Sequence, residues 1–546
     1  MIRRVKITGV VLVVVGLLFA ASPTEKYFEI AKNLDIFATL FKEVNAYYVD
    51  EIDPSKMVET GIEAMLSSLD PYTNYIPEEE IESFRTMTTG QYAGVGASIS
   101  TMAGKTIVTS LFEGFSAHKG GIFVGDELIA IDGVDLAGKN TEQVSNLLKG
   151  QVRTKVTVQV KRFGQDAPLT FDLVRENIKV GNVPYYGKLT GEIGYLKLED
   201  FTEGAYREVK SAFTSLMEQG AKGIVLDLRG NPGGLLNEAV NISNLFIPKG
   251  KEVVSTLGKI KEWNKTYKAL NTPVSTDLPL VVLIDGGSAS AAEIVSGVIQ
   301  DYDRGVLVGR NTYGKGLVQT TRPLTYNAQL KVTTAKYYIP SGRCIQAIDY
   351  SHKENNGNGG KVIDSLKAKY VTANGRAVYD QGGLAPDIKV DIDLYAPVSG
   401  ALVRKGLLFQ YANEYYFTQG EIGPAREYAM KDQEYAAFTE WLKNHQYEYV
   451  TGVEKAIEGL IASAKSDKYY GDIQNELNSL RSNVLKNKSK DLLTFKAEIK
   501  QLLEEEIANR YYNYKGEIEV SFKNDKDIQE AIKILSDSDH YKELLR

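Results

Sequence analysis

The spacing of apolar positions changes along this chain, and each change marks a different kind of element. FATLFKEVNAYYV (37–49) and MVETGIEAMLSSL (57–69) carry apolar residues at helical intervals. Asp53-Pro54-Ser55 breaks the pattern between them and supplies a cap for the second helix. From Gly90 to about Arg175 the period falls to two. YAGVGASI (92–99), KTIVTSLF (105–112), DELIAIDG (126–133) and KVTVQVKR (155–162) read as half-buried strands, with helix-patterned TEQVSNLLKG (141–150) before the last. GEIGYLKLEDF (191–201), KGIVLDLRG (222–230) and LPLVVLIDG (278–286) are nearly continuous in apolar residues, as strands buried on both faces are. REVKSAFTSLMEQG (207–220) links the first two as a helix, and this β-α-β order predicts a layered α/β core. Beyond Val403 the chain turns helical, charged and tyrosine-rich, as in LLTFKAEIKQLLEEEI (492–507) and DIQEAIKILS (527–536). The pattern predicts a multidomain α/β protein: a helical region over 23–89, a small β domain over 90–176, an α/β core over 177–400 and a helical domain over 401–546.

A length of 546 residues agrees with several domains, since one core rarely serves beyond about 250 residues. A formal charge of -6 offers no basic field for nucleic acid. The single cysteine, Cys344, excludes an internal disulfide and a cysteine-built zinc site. At the N-terminus, MIRRVK precedes the unbroken apolar run ITGVVLVVVGLLFAA (7–21). Residues 1–22 therefore read as a secretory signal or membrane anchor, which places the body in the periplasm or otherwise outside the cytoplasm, held at the cytoplasmic membrane by 7–21.

The densest chemistry lies in LVVLIDGGSASAAEIVSGVIQD (280–301) and RGVLVGRNTYGKGLVQ (304–319). A strand running into Gly286-Gly287 and then a helix puts Ser290 at a helix start, where unpaired N–H groups favour negative charge. An oxyanion formed there would meet the N–H of Ala291, with a second donor from the turn holding Gly233 and Gly234. Lys315 lies between Gly314 and Gly316, and Gln319 shares its face in a strand or a helix. A lysine at its ordinary pKa of about 10.4 is protonated and useless as a base, but burial among glycines and apolar residues lowers that value. Taken singly, Ser290 reads as a helix cap and Lys315 as a surface lysine; taken together they suggest a serine activated by an amine. GxSxG is absent and the four histidines (His118, His352, His445, His540) fall outside these motifs, which argues against a Ser-His-Asp triad. Gly309 to Lys315 fits the opening of a P-loop, but Gly316 stands where a magnesium-holding Ser or Thr is needed.

SAHKGGIFVGDELIAIDGVDL (116–136) resembles the central run of a PDZ domain, and Gly94-Val95-Gly96-Ala97 resembles its carboxylate-binding loop. GSASAAEIVSGVIQD, GRNTYGKGLVQ, DLRGNPGGLL, KVTTAKYYIPSGRCIQ and GLAPDIKVD resemble the carboxyl-terminal processing (tail-specific) protease family. The resemblance implies a PDZ domain joined to a crotonase-like core, and a serine endopeptidase that recognises protein C-termini and cuts exported proteins. It also implies Ser290 as nucleophile, Lys315 as base, Gln319 as orienter of the amine, and no metal or cofactor. The family's SASAS reads SASAA here, and an insertion of about 30 residues (349–380) precedes GLAPD. The implied partners are protein or peptide tails, and the C-terminal helices are candidate surfaces for self-association or an adaptor. Two rivals are a non-catalytic PDZ peptide-binding scaffold and a crotonase-type acyl-CoA enzyme.

Overall fold

The computed structural model describes residues 27–102, 104–353, 359–361, 368–380, 382–392 and 394–546. The apolar run 7–21 and residues 354–358 of the inserted segment lie outside the described residues. The chain divides into two compact units, Met1–Tyr75 and Ile76–Arg546. The first holds the two expected helices, α1 over 27–47 and α2 over Pro54–Ser67. Asp53 Oδ1 accepts from the N–H groups of Ser55 at 2.9 Å and Lys56 at 3.2 Å, so the Asp-Pro-Ser break caps the second helix. No helix among the described residues is long and apolar enough to cross a membrane.

The second unit begins with α3 (Ile81–Thr89) and a β domain. Strands β1 (Gln91–Gly94), β2 (Ala97–Met102), β3 (Lys105–Leu111) and β4 (Glu127–Ile131) precede α4 (Thr141–Leu148), followed by β5 (Lys155–Lys161), β6 (Leu169–Val174) and β7 (Glu176–Lys179). An antiparallel sheet runs β2-β3-β4-β5-β6 around buried Val108, Ile131, Val144 and Val158, while β1 pairs with β7. The sequence pattern had given one strand over 92–99, and the structure breaks it in two. Gly96 sits at φ 80, a left-handed conformation, and the Phe115 side chain lies 2.6 Å from where a Cβ would stand. That turn sends the two halves to different partners.

The α/β core follows. Its sheet orders β8 (Tyr185–Thr190), β9 (Ile193–Lys197), β10 (Gly223–Asp227), β13 (Leu280–Ile284), β14 (Val306–Gly309) and β17 (Ile388–Lys389), parallel except for β8. On one face lie α5 (Ala205–Glu218), α6 (Leu236–Ser243) and α7 (Ala291–Asp301), and every residue of α7 is buried. A helix enclosed all round this way needs apolar or small residues on nearly every side, which AAEIVSGVI supplies except at Glu293. A second set of antiparallel strands flanks this layer: β11 (Glu252–Gly258), β12 (Lys265–Lys268), β15 (Leu317–Pro323) and β16 (Gln329–Tyr338).

The C-terminal helices divide their apolar faces. α8 (Pro397–Arg404), α9 (Leu407–Thr418), α10 (Asp432–Leu442) and the first part of α13 (Lys496–Ser521) build a core of their own, and α11 (Gly452–Ser466) packs on α12 (Tyr470–Lys488). At Asn513 (φ 54, ψ -161) α13 kinks. Beyond it Ile518 and Phe522, with α14 (Lys526–Ser536) and α15 (Ser538–Leu544), cover the other face of the core sheet against Val225, Val281, Leu283 and Val308. The last helices thus complete the core that the sequence pattern had ended near residue 400.

Candidate active site

Strand β13 is apolar and fully buried, and it delivers the chain to a turn built on Asp285. Asp285 Oδ1 accepts from Gly287 N–H at 2.9 Å and, across to the turn after β10, from Gly230 N–H at 2.9 Å. Ser288 Oγ–H donates to Leu228 O at 2.8 Å, so the first serine of GSAS locks the two turns together. Ser290 comes next at φ 55 and ψ -113, strained for a residue with a Cβ, and Ala291 opens α7.

The opposite wall comes from the loop between β14 and β15. Glu293, one turn into α7 and fully buried, reaches it: Oε1 accepts from Thr312 Oγ1 at 2.5 Å and Gly314 N–H at 2.8 Å, and Oε2 from Lys315 N–H at 2.9 Å. Oε2 also accepts from Ser290 N–H at 2.8 Å. Tyr337 Oη donates to Ser290 O at 3.1 Å and contacts Lys315 O. Gln319, on β15, donates through Nε2 to Thr333 Oγ1 at 3.2 Å. Burial pushes the Glu293 carboxyl up to about 7, against the hydrogen bonds from Thr312, Lys315, Ser290 and Gly314 that favour its ionised form.

Ser290, Lys315, Gln319, Ala291, Gly233 and Gly234 all line one cavity of about 670 Å³. Its apolar lining includes Leu236, Ile294 and Val318 from the core, with Met87 and Tyr92 from α3 and β1. Gly233 (φ 97) backs directly onto the serine turn, since a Cβ there would lie 2.6 Å from Ala289 O and 2.8 Å from Ser290 Cβ. Its N–H donates to Asn231 Oδ1 at 2.8 Å, whereas no hydrogen bond among the described residues engages the N–H of Gly234 or Ala291.

Gly94, Val95, Gly96 and Ala97 lie elsewhere, at the break between β1 and β2. Val95 O accepts from Ala117 N–H at 2.8 Å and Gly96 O from Phe112 N–H at 3.0 Å. Val95 and Ala97 line a small apolar slot with Ile99 and Leu148, separate from the serine cavity. Tyr92, two residues before Gly94, belongs to the serine cavity, so one strand serves both places.

Sequence reasoning had passed over Glu293, Tyr337 and Arg229. Glu293 was visible as a Ser-x-x-Glu capping pattern, a common helix start that carries no chemistry by itself. Arg229 joins Asp227 (2.6 Å), Asp525 (2.8 Å) and Asp527 (2.9 Å), the last two from the segment opening α14. Asp525 and Asp527 lie almost 300 positions away in sequence, beyond the reach of any local pattern.

Residues 192–353 match the model of peptidase family S41, residues 107–162 that of the PDZ domain, and residues 398–535 that of the probable PDZ-protease C-terminal helical domain. The chain is 38% identical over 321 residues to the carboxy-terminal-processing protease of Bartonella bacilliformis, covering 58% of this chain and 73% of that protein. It is 32% identical over 351 residues to the carboxy-terminal processing protease CtpA of Bacillus subtilis, covering 64% and 73%. Among solved structures, the photosystem II D1 C-terminal processing protease aligns at a TM-score of 0.35 and 26% identity, over 65% of this chain and 92% of that one.

Proposed function

The chain belongs to the carboxy-terminal-processing proteases of peptidase family S41, and on that premise we propose that it cuts polypeptides with a Ser290–Lys315 dyad. It is a serine protease with a PDZ domain. The observation that carries the dyad is that one buried carboxylate, Glu293, holds both the Ser290 turn and the Lys315 loop against one cavity. Lys315 Nζ, in its uncharged form, takes the Oγ proton while Oγ bonds to the scissile carbonyl carbon. The ammonium then gives that proton to the departing amine, leaving an acyl-enzyme that water hydrolyses. Gln319, fixed through Thr333, orients the amine. Ala291 N–H and the Gly233–Gly234 turn receive the oxyanion. Gly234 N–H has no competing acceptor among the described residues, and Gly233 N–H serves once Asn231 Oδ1 releases it.

The Gly94–Ala97 turn, in this reading, accepts the substrate's terminal carboxylate while the tail adds along β2, an edge strand of its sheet. The basic-then-apolar opening of the chain supports work outside the cytoplasm on exported proteins, at the membrane surface. The test is degradation of an unfolded protein such as reduced, carboxymethylated casein. Wild type degrades it, and Ser290→Ala and Lys315→Ala do not. Retained cleavage by either variant overturns the dyad, and an inert wild type favours the peptide-binding scaffold.

A further inference from the structure

The serine cavity carries one charge that the proposed chemistry does not use. Lys331 lies on β16 opposite Thr321 of β15, and Thr333 lies opposite Gln319. Side chains two apart on a strand share a face, so Gln319, Thr321 and Lys331 form a row along the cavity wall. Lys331 is two cross-strand pairs beyond Gln319, about 7 Å farther along the strands. Its ammonium is half-buried and makes no ion pair or hydrogen bond among the described residues. Desolvation lowers its pKa and no neighbouring carboxylate offsets that. Asp200 lines the same cavity from the segment after β9 without pairing with Lys331; burial, then Glu199, raises its own carboxyl.

A half-buried cation with no counter-charge costs free energy that a carboxylate would restore. We propose that Lys331 is a specificity residue that pairs with a substrate carboxylate one to three residues from the scissile bond. The proposal rests on Ser290 marking where that bond lies. The carboxylate comes from an Asp or Glu side chain or from the chain terminus, and the two sources are separable.

The probes are internally quenched, alanine-rich decapeptides in which a single Glu is walked across the cut, with Gln and Lys at each position as controls and each made as free acid and as amide. Wild type should favour Glu over Gln at one position by about tenfold or more in kcat/KM. Lys331→Glu should abolish that preference and favour Lys at the same position, and Lys331→Gln should level all three. A change confined to the acid-to-amide ratio assigns the terminal carboxylate instead. Equal Glu-to-Gln and acid-to-amide ratios in wild type and both variants overturn the proposal. The same peptides are titrated against Ser290→Ala and Ser290→Ala/Lys331→Glu by fluorescence anisotropy. Binding preference there tests Lys331 without turnover, whereas cleavage by Ser290→Ala sinks the nucleophile assignment alone.

Discussion

The backbone amides of Ser290 and Lys315 donate to the same atom, Oε2 of Glu293, at 2.8 and 2.9 Å. A strained turn and a glycine-flanked loop are thereby set against each other by one carboxylate. Misplacement of about 1 Å in such a pair costs roughly a hundredfold in rate. Glu293→Gln keeps the size but points an NH₂ at N–H donors on one side. We expect kcat to fall by about that factor with KM nearly unchanged, measured by steady-state cleavage of a quenched peptide. A proportional rise in KM would instead mean that Glu293 shapes substrate binding.

The same carboxyl gives stability a pH dependence. Burial raises it from 4.5 to about 7, so below pH 4.5 the proton is held in folded and unfolded states alike and the contribution is complete. Between those values only the folded protein retains the proton, and above about 7 the contribution is gone, a loss of about 3 kcal/mol. Glu293→Gln cannot titrate. The Tm of Ser290→Ala should therefore fall between pH 5 and 8 relative to Ser290→Ala/Glu293→Gln, followed by scanning calorimetry. Parallel Tm curves would show that Glu293 keeps one charge state throughout.

Gly233 allows a clean comparison. Alanine at φ 97 is strained by about 1–2 kcal/mol wherever it stands. At Gly233 the new methyl also meets Ala289 O and the Ser290 Cβ, whereas at Gly220 (φ 83) it meets nothing within 4 Å. Gly220→Ala should lower Tm modestly and leave activity intact, while Gly233→Ala should cut kcat at least tenfold. Equal losses in the two variants would mean that strain, not displacement of Ser290, is responsible.

Much of this arrangement was legible in the sequence because its strands carry their burial in their composition. The continuous apolar runs VVLI and IVL marked the central strands, and the glycines after them marked the turns that hold Ser290 and Gly233. The break at Gly96 was hidden because YAGVGASI alternates well enough for one strand, and only packing of Phe115 reveals the turn. The last helices looked like part of a separate domain because an amphipathic helix such as DIQEAIKILS shows that it has a partner and not which partner. Val225, Val281 and Val308 lie far away in sequence, so no periodicity connects them to Ile528 and Ile534.

Arg229 is the ionic counterpart of that packing. Asp227 beneath it is fully buried; burial alone would raise its carboxyl, but Arg229 and then Lys197 hold it well below the ordinary range. Removing the guanidinium leaves Asp227, Asp525 and Asp527 facing one another with less compensation. Arg229→Ala should destabilise by about 3–5 kcal/mol in urea melts. Asp527→Asn should cost much less, because burial already pushes that carboxyl toward its neutral form. Comparable losses would place the cost in packing and not in charge.

The helical region also grips the PDZ domain. Phe417 of α9 stacks on Phe163 with centroids 6.3 Å apart and meets Phe123 edge-on at 6.0 Å. Beside them Asn413, fixed by Arg510 Nε at 2.6 Å, fills the space over Gly125, where a Cβ would lie 2.0 Å from Asn413 Nδ2. Aromatic contacts of this kind are worth about 0.5–1.5 kcal/mol each beyond the area they bury, enough to bias the pose of a small domain. Phe417→Ala and Gly125→Ala should each raise deuterium uptake at contacts of the PDZ domain with α9, in peptides spanning 120–130 and 160–165, while β13 stays protected. If releasing the grip also changes the cleavage rate of a long tail but not of a short quenched peptide, the pose of the PDZ domain governs delivery to Ser290. Unchanged uptake in both variants would mean that other contacts, such as Asn513 with Glu113, hold the PDZ domain in place.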